Sequence, residues 1–361
     1  MKDIVLIVGT NLHWVPFFYR YESLIKELGL SYDLIIWNRE RLDEMSDAEN
    51  VYEYRAFDNA NNKNPFKFFK FIGFSNFTKK ILNDYKYKKV IFVGTYGCVV
   101  AFCSNYLCKN YSNKMWIDIR DDLYEWFKPY YIAQKRTIEA SYATTISSPA
   151  YVKFLPEYNY LHMHNIDPDA KNIIKEYKRN KDANDRIRIS FIGNVRYYEQ
   201  NKELLRLLGN DERFILQYYG KGSEVLEQFC LENNILNVDF CGSFPQKDTI
   251  KFYEKTDIIN NIYGNNTMNL QLALSNKLYY GLFLNIPLLV SKDTLMEDMI
   301  KTYNIGFTFA NNQNFPNDLY EWYKNVKKNP CNCRFDDLWK KFQNEDEQCV
   351  NELKKFLIKK Y

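Results

Sequence analysis

The 361-residue chain is poor in histidine and glycine and contains no long apolar run. Its 3 His argue against a histidine-rich metal site, and its 13 Gly form neither a GxGxxG motif nor a P-loop. The longest apolar runs, such as Ile4–Val8 and Ile286–Val290, have the length of a strand, whereas a membrane span needs about 20 apolar residues. These absences argue against a membrane-spanning chain and against the dinucleotide and triphosphate sites built on those two glycine motifs.

The cysteine spacing and the net charge argue against two further classes of protein, those with a structural zinc pair and those that bind nucleic acid. The 8 Cys include no CxxC pair, and Cys331 and Cys333 are too closely spaced for the usual structural zinc pair. The chain opens directly into an apolar strand, so we expect no signal peptide, a cytosolic location and reduced thiols. A net charge of +4 is too balanced to indicate a nucleic-acid-binding protein. The 46% hydrophobic and 26% charged residues are typical of a globular protein.

Short apolar segments alternate with helical patterns along both halves of the chain, which is typical of parallel sheets covered by helices on both faces. We predict an α/β protein of two doubly wound domains facing a crevice, with domains over 1–166 and 187–334, a linker with a short helix over 167–186 and a final helix over 335–361. The predicted strands are Ile4–Val8, Tyr32–Trp37, Lys89–Val93, Lys114–Ile117 and Ala143–Ile146, then Arg188–Ile192, Phe214–Tyr219, Asn237–Cys241, Ile258–Ile262, Ile286–Val290 and Gly306–Phe309. The predicted helices are Pro16–Leu28, Phe66–Tyr85, Gly97–Leu107, Leu123–Ala140, Glu199–Leu208, Glu224–Asn233, Lys247–Lys255, Leu270–Phe283 and Leu295–Tyr303.

A glycine directly follows several of the predicted strands. Ligands of doubly wound sheets bind beyond the carboxyl ends of the strands, and glycine lets the backbone turn tightly or approach a ligand closely. Together these loops indicate a binding site. They are Gly9-Thr10, Gly94, Gly193-Asn194-Val195-Arg196, Gly220-Lys221-Gly222 and Gly242-Ser243.

The segment from Ser275 to Lys277 points to a phosphate ligand. Ser275 or Asn276 can cap a helix, whose free N–H groups and dipole favour an anion. Lys277 adds a positive charge, and Arg196 can supply a bidentate clamp from a facing loop. Such an assembly would hold a diphosphate and stabilise it as a leaving group.

These motifs, in this order, resemble the donor domain of GT-B glycosyltransferases, specifically family-four-like enzymes of bacterial polysaccharide and capsule biosynthesis. The resemblance rests on Phe191–Arg196, Tyr219–Gly222, Phe240–Gly242 and Ser275–Tyr279 leading to Ile286-Pro287. In the first half, Asp118–Asp121 and Thr145–Pro149 resemble the acceptor domains of capsule-type members.

The resemblance implies transfer of a sugar from a nucleotide-diphosphate donor, UDP-linked, to a polysaccharide or polyprenyl-linked acceptor at the inner membrane surface. It implies no metal and no cofactor beyond the substrate, since Arg196 and Lys277 neutralise the diphosphate. The implied donor-binding residues are Gly193, Asn194, Arg196, Gly220, Lys221, Gly222, Ser275, Asn276 and Lys277. The implied acceptor-binding residues are Gly9, Thr10 and Arg120, and the candidate catalytic residues are His13, Asp118 and Asp121.

Three positions depart from the family pattern. Asn285 stands where the family usually has a Gly before the Ile-Pro pair. Leu272 and Tyr280 stand where the family usually carries two Glu eight positions apart, the second contacting the donor ribose, so ribose recognition must differ here. Two other functions stay open: a sugar-nucleotide 2-epimerase of the same fold, and a non-catalytic scaffold with a degenerate donor domain. The epimerase lacks support at Gly9-Thr10-Asn11, where those enzymes carry a basic residue.

Each candidate residue also has a structural interpretation. Arg196 can be a solvated loop residue, Lys277 a surface helix residue and His13 a packed loop residue. Asp118 can cap a helix, and Arg120 can pair with Asp121. For Glu199 a first-turn helix carboxylate is the simpler reading, and for His162 and His164 a structural role is favoured over chemistry.

The segment from Lys63 to Lys89 interleaves eight Lys with six Phe and one acidic residue, Asp84. A basic aromatic helix suits an anionic membrane surface, and lipid-linked acceptors would favour that interpretation. The alternative is a core helix with a solvated lysine edge. Nucleic acid is the weaker partner, because no RNA-binding motif accompanies the segment.

Overall fold

The computed structural model describes residues 3–58, 67–94, 97–167, 170–180 and 185–361. The chain forms two compact units: unit 1 comprises Met1–Asn165 and Asn344–Tyr361, and unit 2 comprises Ile166–Gln343. Each unit is built on one parallel sheet, which confirms the predicted two-domain α/β fold.

Seven parallel strands form the sheet of unit 1. They are β1 (Ile4–Val8), β2 (Asp33–Trp37), β3 (Val51–Tyr54), β4 (Lys89–Val93), β5 (Met115–Ile119), β6 (Ala143–Ile146) and β7 (Leu161–His162), and their order in the sheet is β3-β2-β1-β4-β5-β6-β7. The helices of its N-terminal part are α1 (Phe18–Glu27), α2 (Lys67–Tyr85), α3 (Gly97–Tyr111) and α4 (Lys128–Glu139).

Six parallel strands form the sheet of unit 2. They are β8 (Ile187–Ile192), β9 (Phe214–Tyr219), β10 (Val238–Cys241), β11 (Ile258–Asn261), β12 (Leu288–Val290) and β13 (Gly306–Thr308), in the order β10-β9-β8-β11-β12-β13. The helices are α5 (Ala170–Glu176), α6 (Tyr198–Leu208), α7 (Glu224–Glu232), α8 (Thr249–Tyr253), α9 (Met268–Leu272), α10 (Asn276–Leu284), α11 (Leu295–Tyr303) and α12 (Phe315–Lys328). The last helix, α13 (Phe335–Ile358), spans the change from unit 2 to unit 1.

The central strands are buried on both faces, which explains why they read as continuous apolar runs. Every residue of β1 and β4 is buried, as expected for parallel strands with helices on either side. On one face of unit 1, side chains of β1 and β2 pack with α1 and with the end of α13, including Phe356. In unit 2, β8 packs against α6, and β12 packs against α10 and α11.

Sequence analysis missed the strands β3 and β7 and the helix α12. β3 is a partly exposed edge strand in which three of the four residues are glutamate or tyrosine, and β7 is only two residues long. The predicted helix from Leu123 starts at Lys128, where Pro129 occupies the first turn. The predicted helix Leu270–Phe283 is wrong as one element, because α9 ends at Leu272 and α10 begins afresh at Asn276. The helix α12 had no predicted counterpart.

The basic aromatic segment is partly core and partly exposed: Phe74 is buried, whereas Phe69 is 66% exposed, and membrane binding by this helix stays a prediction. Its residues 59–66 lie outside the described part of the chain, together with the side chains of Lys67 and Phe68. In α2, Phe74 is fully buried and its ring centroid lies 5.6 Å from that of Trp37, as does that of Phe71. Lys79 and Lys80 are exposed. None of the described helices is long and apolar enough to cross a membrane.

Both sheets reverse their strand order beside their first strand. In unit 1 the reversal separates β1 from β4, and in unit 2 it separates β8 from β11. Loops diverge on either side of such a point and leave a cleft at the carboxyl edge of the sheet, where ligands of this architecture bind. The predicted loops Gly9-Thr10 and Gly193–Arg196 both follow a strand at this position.

Candidate functional site

The loops after β8 and β9 in unit 2 pack directly on each other. A Cβ at Gly220 (φ 135°) would lie 1.9 Å from the carbonyl oxygen of Gly193, and one at Gly222 (φ 93°) would lie 2.4 Å from that of Val195. Gly220 N donates to the Cys241 carbonyl oxygen over 2.7 Å, and Gly222 N donates to Glu224 Oε2 over 3.0 Å. These two glycines are therefore required by backbone packing, and their proposed contact with a donor stays a prediction.

Gly193 differs from them. Its φ of 109° also favours glycine, but no atom lies within 4 Å of a Cβ built there. Gly193 N donates to the Tyr219 carbonyl oxygen and Val195 N to the Lys221 carbonyl oxygen, over 2.9 and 2.8 Å. The β8 loop is thus held by backbone hydrogen bonds while its surface at Gly193 stays open.

Lys277 lies in the first turn of α10 and is only 5% exposed. Its Nζ donates to the Tyr263 hydroxyl oxygen over 2.8 Å and lies 3.4 Å from the ring centroid of Phe191. Among the described residues no carboxylate pairs with it. Burial lowers the pKa of Lys277 well below its ordinary value, and the nearby Arg196 guanidinium lowers it further. The interpretation of Lys277 as a surface helix residue is wrong.

The N-terminus of α10 is capped by Ser275, one of the two capping residues that the sequence predicted. Ser275 is the N-cap residue, and its Oγ accepts a hydrogen bond from Lys277 N over 3.3 Å. Asn276 follows as an exposed first helical residue. The end of α9 at Leu272 creates this N-terminus, which one continuous helix would have removed.

Arg196 is exposed on the β8 loop, with its guanidinium carbon 5.6 Å from the ring centroid of Tyr197. It lies close enough to Lys277 to lower the pKa of that group. Asn194 and Lys221 are exposed on the same pair of loops. The structure thus brings two cations, Arg196 and Lys277, together at the carboxyl edge of the unit 2 sheet.

Sequence reasoning missed the aromatic and amide groups that hold this arrangement. The Tyr197 and Tyr263 rings stack at 4.5 Å and 26°, and Tyr197 adopts a left-handed φ of 61°. Asn260 Nδ2 donates to Asn201 Oδ1 over 2.8 Å, and Asn201 Nδ2 donates to the Tyr197 carbonyl oxygen over 3.0 Å. Tyr263-Gly264 follows β11 with a glycine, the same signal that marked the other loops.

The positions that depart from the family pattern lie in different surroundings. Leu272 is buried, whereas the Tyr280 hydroxyl donates to Asp167 Oδ2 over 2.6 Å. The Tyr280 ring stacks on Tyr253 at 4.6 Å and 9°. A carboxylate is therefore present beside position 280, contributed by Asp167 instead of by the helix itself. Glu199 is exposed and pairs with Lys202, which accords with the simpler helix reading.

In unit 1, a pocket of about 210 Å³ opens at the end of β1 and β4. It brings together Thr10, Arg120 and Asp121, three of the residues that the sequence placed in an acceptor or catalytic site. Gly9 is buried beside them in the chain. The remaining wall is apolar and consists of Trp14, Val15, Phe17, Gly94 and Leu123.

Asp118 forms a buried ion pair with Arg120. The Asp118 carboxylate is 0% exposed and accepts hydrogen bonds from Arg120 Nε and Thr145 Oγ1, both over 2.9 Å. Arg120 also donates to Asn165 Oδ1 over 2.6 Å. Arg120 therefore pairs with Asp118, and its charge also lowers the pKa of Asp121. Asp118 lies within β5 and does not reach solvent, so it does not cap a helix and it orients Arg120, while its catalytic role stays a prediction.

Asp121 is exposed at the edge of the pocket. Partial desolvation by the surrounding protein raises its pKa to about 6, with the Asp122 charge adding to this effect and Arg120 opposing it. His13 is about half exposed, and its Nε2 lies 3.6 Å from Glu40 Oε2. Of the three candidate catalytic residues, Asp121 lines the pocket, and His13 lies on the loop of the pocket residue Trp14.

Comparison with known proteins gives structural likeness alone. No family model and no curated protein matches the chain. Sucrose-phosphate synthase from Thermosynechococcus elongatus aligns with a TM-score of 0.64 at 12% identity, covering 99% of this chain and 97% of that one. HepE from Anabaena, solved in complex with UDP, aligns with a TM-score of 0.64 at 8% identity, covering 98% and 99%. WaaG, a glycosyltransferase involved in lipopolysaccharide biosynthesis, aligns with a TM-score of 0.61 at 10% identity, covering 99% of this chain and 100% of that one. The chain has the fold of GT-B glycosyltransferases.

The two aspartates of unit 1 are expected to respond differently to the same substitution. Asp118→Asn leaves the Arg120 charge buried without its partner and should lower the free energy of unfolding by about 3 kcal/mol. Asp121→Asn removes a carboxylate whose ionised form burial already disfavours, so stability at pH 7 should stay within about 0.5 kcal/mol of wild type. Urea unfolding followed by circular dichroism measures both, and equal losses would contradict the assignment of the pair.

Proposed function

We propose that this protein is a GT-B glycosyltransferase that moves a sugar from a nucleotide-diphosphate donor, with UDP as the nucleotide, to a glycan or lipid-linked acceptor. The observation that carries the proposal is the buried Lys277 beside Arg196. A buried ammonium without a carboxylate costs stability unless something compensates it, and a diphosphate at the capped N-terminus of α10 would do so. The similarity to HepE, solved with UDP, supports this ligand class.

In this proposal the diphosphate is both the group by which the protein binds the donor and the leaving group of the reaction. As the bond between the anomeric carbon and the β-phosphate oxygen breaks, negative charge grows on that oxygen. The buried Lys277 Nζ and the exposed Arg196 guanidinium stabilise that charge as it develops. Gly193 leaves open surface on the same loop for the donor.

The acceptor hydroxyl forms the new bond to the anomeric carbon and releases its proton. Asp121 is our candidate to take that proton if the reaction inverts, because a pKa of about 6 leaves it ionised yet basic at neutral pH. Arg120, fixed by Asp118, would hold the acceptor in the pocket. If the reaction retains configuration, the departing phosphate takes the proton.

Exposed apolar side chains favour an acceptor at a membrane surface. Trp14, Met45, Phe57, Trp126 and Phe127 are 51–82% exposed. They follow β1, β2, β3 and β5, so all belong to the carboxyl-edge loops of one sheet. Large apolar groups gathered at one edge of a sheet mark an interaction surface. This edge, and not the lysines along α2, is therefore our candidate for contact with anionic lipid.

Removing either cation should weaken UDP binding. Arg196→Ala and Lys277→Met each remove a charged hydrogen bond worth about 1.5–3 kcal/mol, so Kd should rise at least about tenfold in each. Burial lowers the pKa of Lys277 in the free protein, and a bound anion raises it again. UDP binding to wild type should therefore take up more protons than binding to Lys277→Met, and this excess affinity should fall as pH rises through the lowered pKa.

Isothermal titration calorimetry in buffers of different ionisation enthalpy measures both effects. Arg206→Ala is the matched control, because Arg206 is an exposed arginine in the last turn of α6, the end away from Arg196. Unchanged affinity in both site variants, with proton uptake equal to wild type, would refute the donor site. Sugar release from UDP-sugar in the presence of acceptor then separates an enzyme from a binding scaffold.

The exposed edge of unit 1 should bind vesicles that contain anionic lipid. Trp126→Ser combined with Phe127→Ser removes two inserting rings and should lower partitioning at least about tenfold, since a buried aromatic side chain contributes roughly 1.5–3 kcal/mol. Lys79→Gln with Lys80→Gln is the control and should sediment with vesicles nearly as wild type does. Absence of wild-type binding, or equal loss in both pairs of variants, would contradict this surface.

A further inference from the structure

Three metal-ligand side chains converge in unit 1 near the two points where the chain changes unit. His162 and His164 precede Asn165, where the chain leaves unit 1, and Glu345 follows Asn344, where it returns. His164 Nε2 lies 2.8 Å from Glu345 Oε2, and His162 Nδ1 lies 3.3 Å from the same oxygen. One donor atom from each residue lies within 4.8 Å of the other two.

The backbone explains why the two imidazoles lie together. His162 ends β7, and Met163 N donates to the Ile146 carbonyl oxygen, which extends the strand pairing by one residue. Met163 is buried and its sulfur accepts a hydrogen bond from the Tyr21 hydroxyl. Alternation along an extended chain then turns the residues on either side of Met163 toward the opposite face.

The position of Glu345 is fixed by its neighbour in α13. Asp346 Oδ1 accepts a hydrogen bond from Arg20 over 2.9 Å and one from His164 N over 3.1 Å. This pair ties the helix to the same segment that carries the imidazoles. The three donor groups are thus preorganised by contacts that do not depend on an ion.

The donor set and its spacing match a small transition-metal ion. A tetrahedral Zn²⁺ with ligands at about 2.0–2.1 Å places neighbouring donor atoms about 3.3 Å apart, close to the separations of Glu345 Oε2 from both imidazoles. Two imidazole nitrogens and one carboxylate favour Zn²⁺ over Mg²⁺ or Ca²⁺, which prefer oxygen ligands throughout. The His162 and Glu345 side chains are 28% and 25% exposed, so an ion can enter from solvent.

We propose that His162, His164 and Glu345 form a zinc site that ties β7 to α13 within unit 1. The fourth position is left to water. The site lies on residues other than those proposed for donor and acceptor, so the ion acts on stability and takes no part in glycosyl transfer. No motif in the sequence marks this site, because Glu345 lies 181 residues from His164 along the chain.

Titration of the full-length protein with Zn²⁺ tests the proposal. Wild type should bind one equivalent, and Zn²⁺ should raise its Tm, because an ion that binds the folded state stabilises it. His162→Gln and Glu345→Gln should each weaken binding at least about tenfold and lose most of the Tm rise. His13→Gln is the matched control, since His13 is the other histidine of the chain, and should bind as wild type.

Substitution of Co²⁺ for Zn²⁺ in wild type keeps the test decisive if a variant fails to fold. Bound Co²⁺ should show visible absorption of a low-symmetry nitrogen and oxygen site without the near-ultraviolet band of thiolate ligation. A thiolate band, no saturable binding, or equal binding in wild type and both site variants would overturn the proposal. UDP affinity is expected to stay unchanged with the ion removed, so this outcome is independent of the donor site.

Discussion

The amine of Lys277 lies in the interior of unit 2 with no carboxylate paired to it among the described residues, so burial disfavours its positively charged form. Two aromatic rings and one phenol oxygen compensate it in part. Cation–π contacts and one hydrogen bond recover less than the hydration that the ammonium loses. The nearby Arg196 raises the cost further. In the proposed function, a bound diphosphate would offset this cost.

Much of unit 2 around this charge serves to hold two loops and one helix end in place. Gly220 and Gly222 allow the β9 loop to lie against the β8 loop without a Cβ between them. The Asn201–Asn260 hydrogen bond links the start of α6 to β11, while Tyr197 stacks on Tyr263. Preorganised groups of this kind stabilise developing charge because they need not move as the reaction proceeds.

Sequence reasoning recovered the fold because its signals are local. β1, β4, β6 and β9 were predicted with the bounds that the structure has, since each is a short apolar run between polar turns. The same rule failed for β3, which lies at an edge and exposes polar side chains. Sequence analysis also missed α12, although Phe315, Leu319 and Tyr323 recur there at helical spacing. Burial and pairing that depend on distant residues left no such local signal.

In the candidate site, too, some features were visible along the sequence and others depend on packing between distant residues. The capped N-terminus at Ser275 and the cation pair were predicted from residue types and from the order of strands, both visible along the chain. The aromatic enclosure of Lys277 was not, because Phe191 on β8 and Tyr263 in the loop after β11 reach it from distant parts of the chain. Asp118 and Asp121 looked alike as acidic residues, and only their packing distinguishes a buried partner of Arg120 from an accessible carboxyl group.

A crystal structure of the protein with bound UDP tests the central claim most directly. We expect the diphosphate oxygens within about 3.5 Å of Lys277 Nζ and of the Arg196 guanidinium, with Lys277 turned away from the Tyr263 hydroxyl. The β-phosphate should face the N-terminus of α10. UDP bound at another edge of the protein, with Lys277 still donating to Tyr263, would contradict the account.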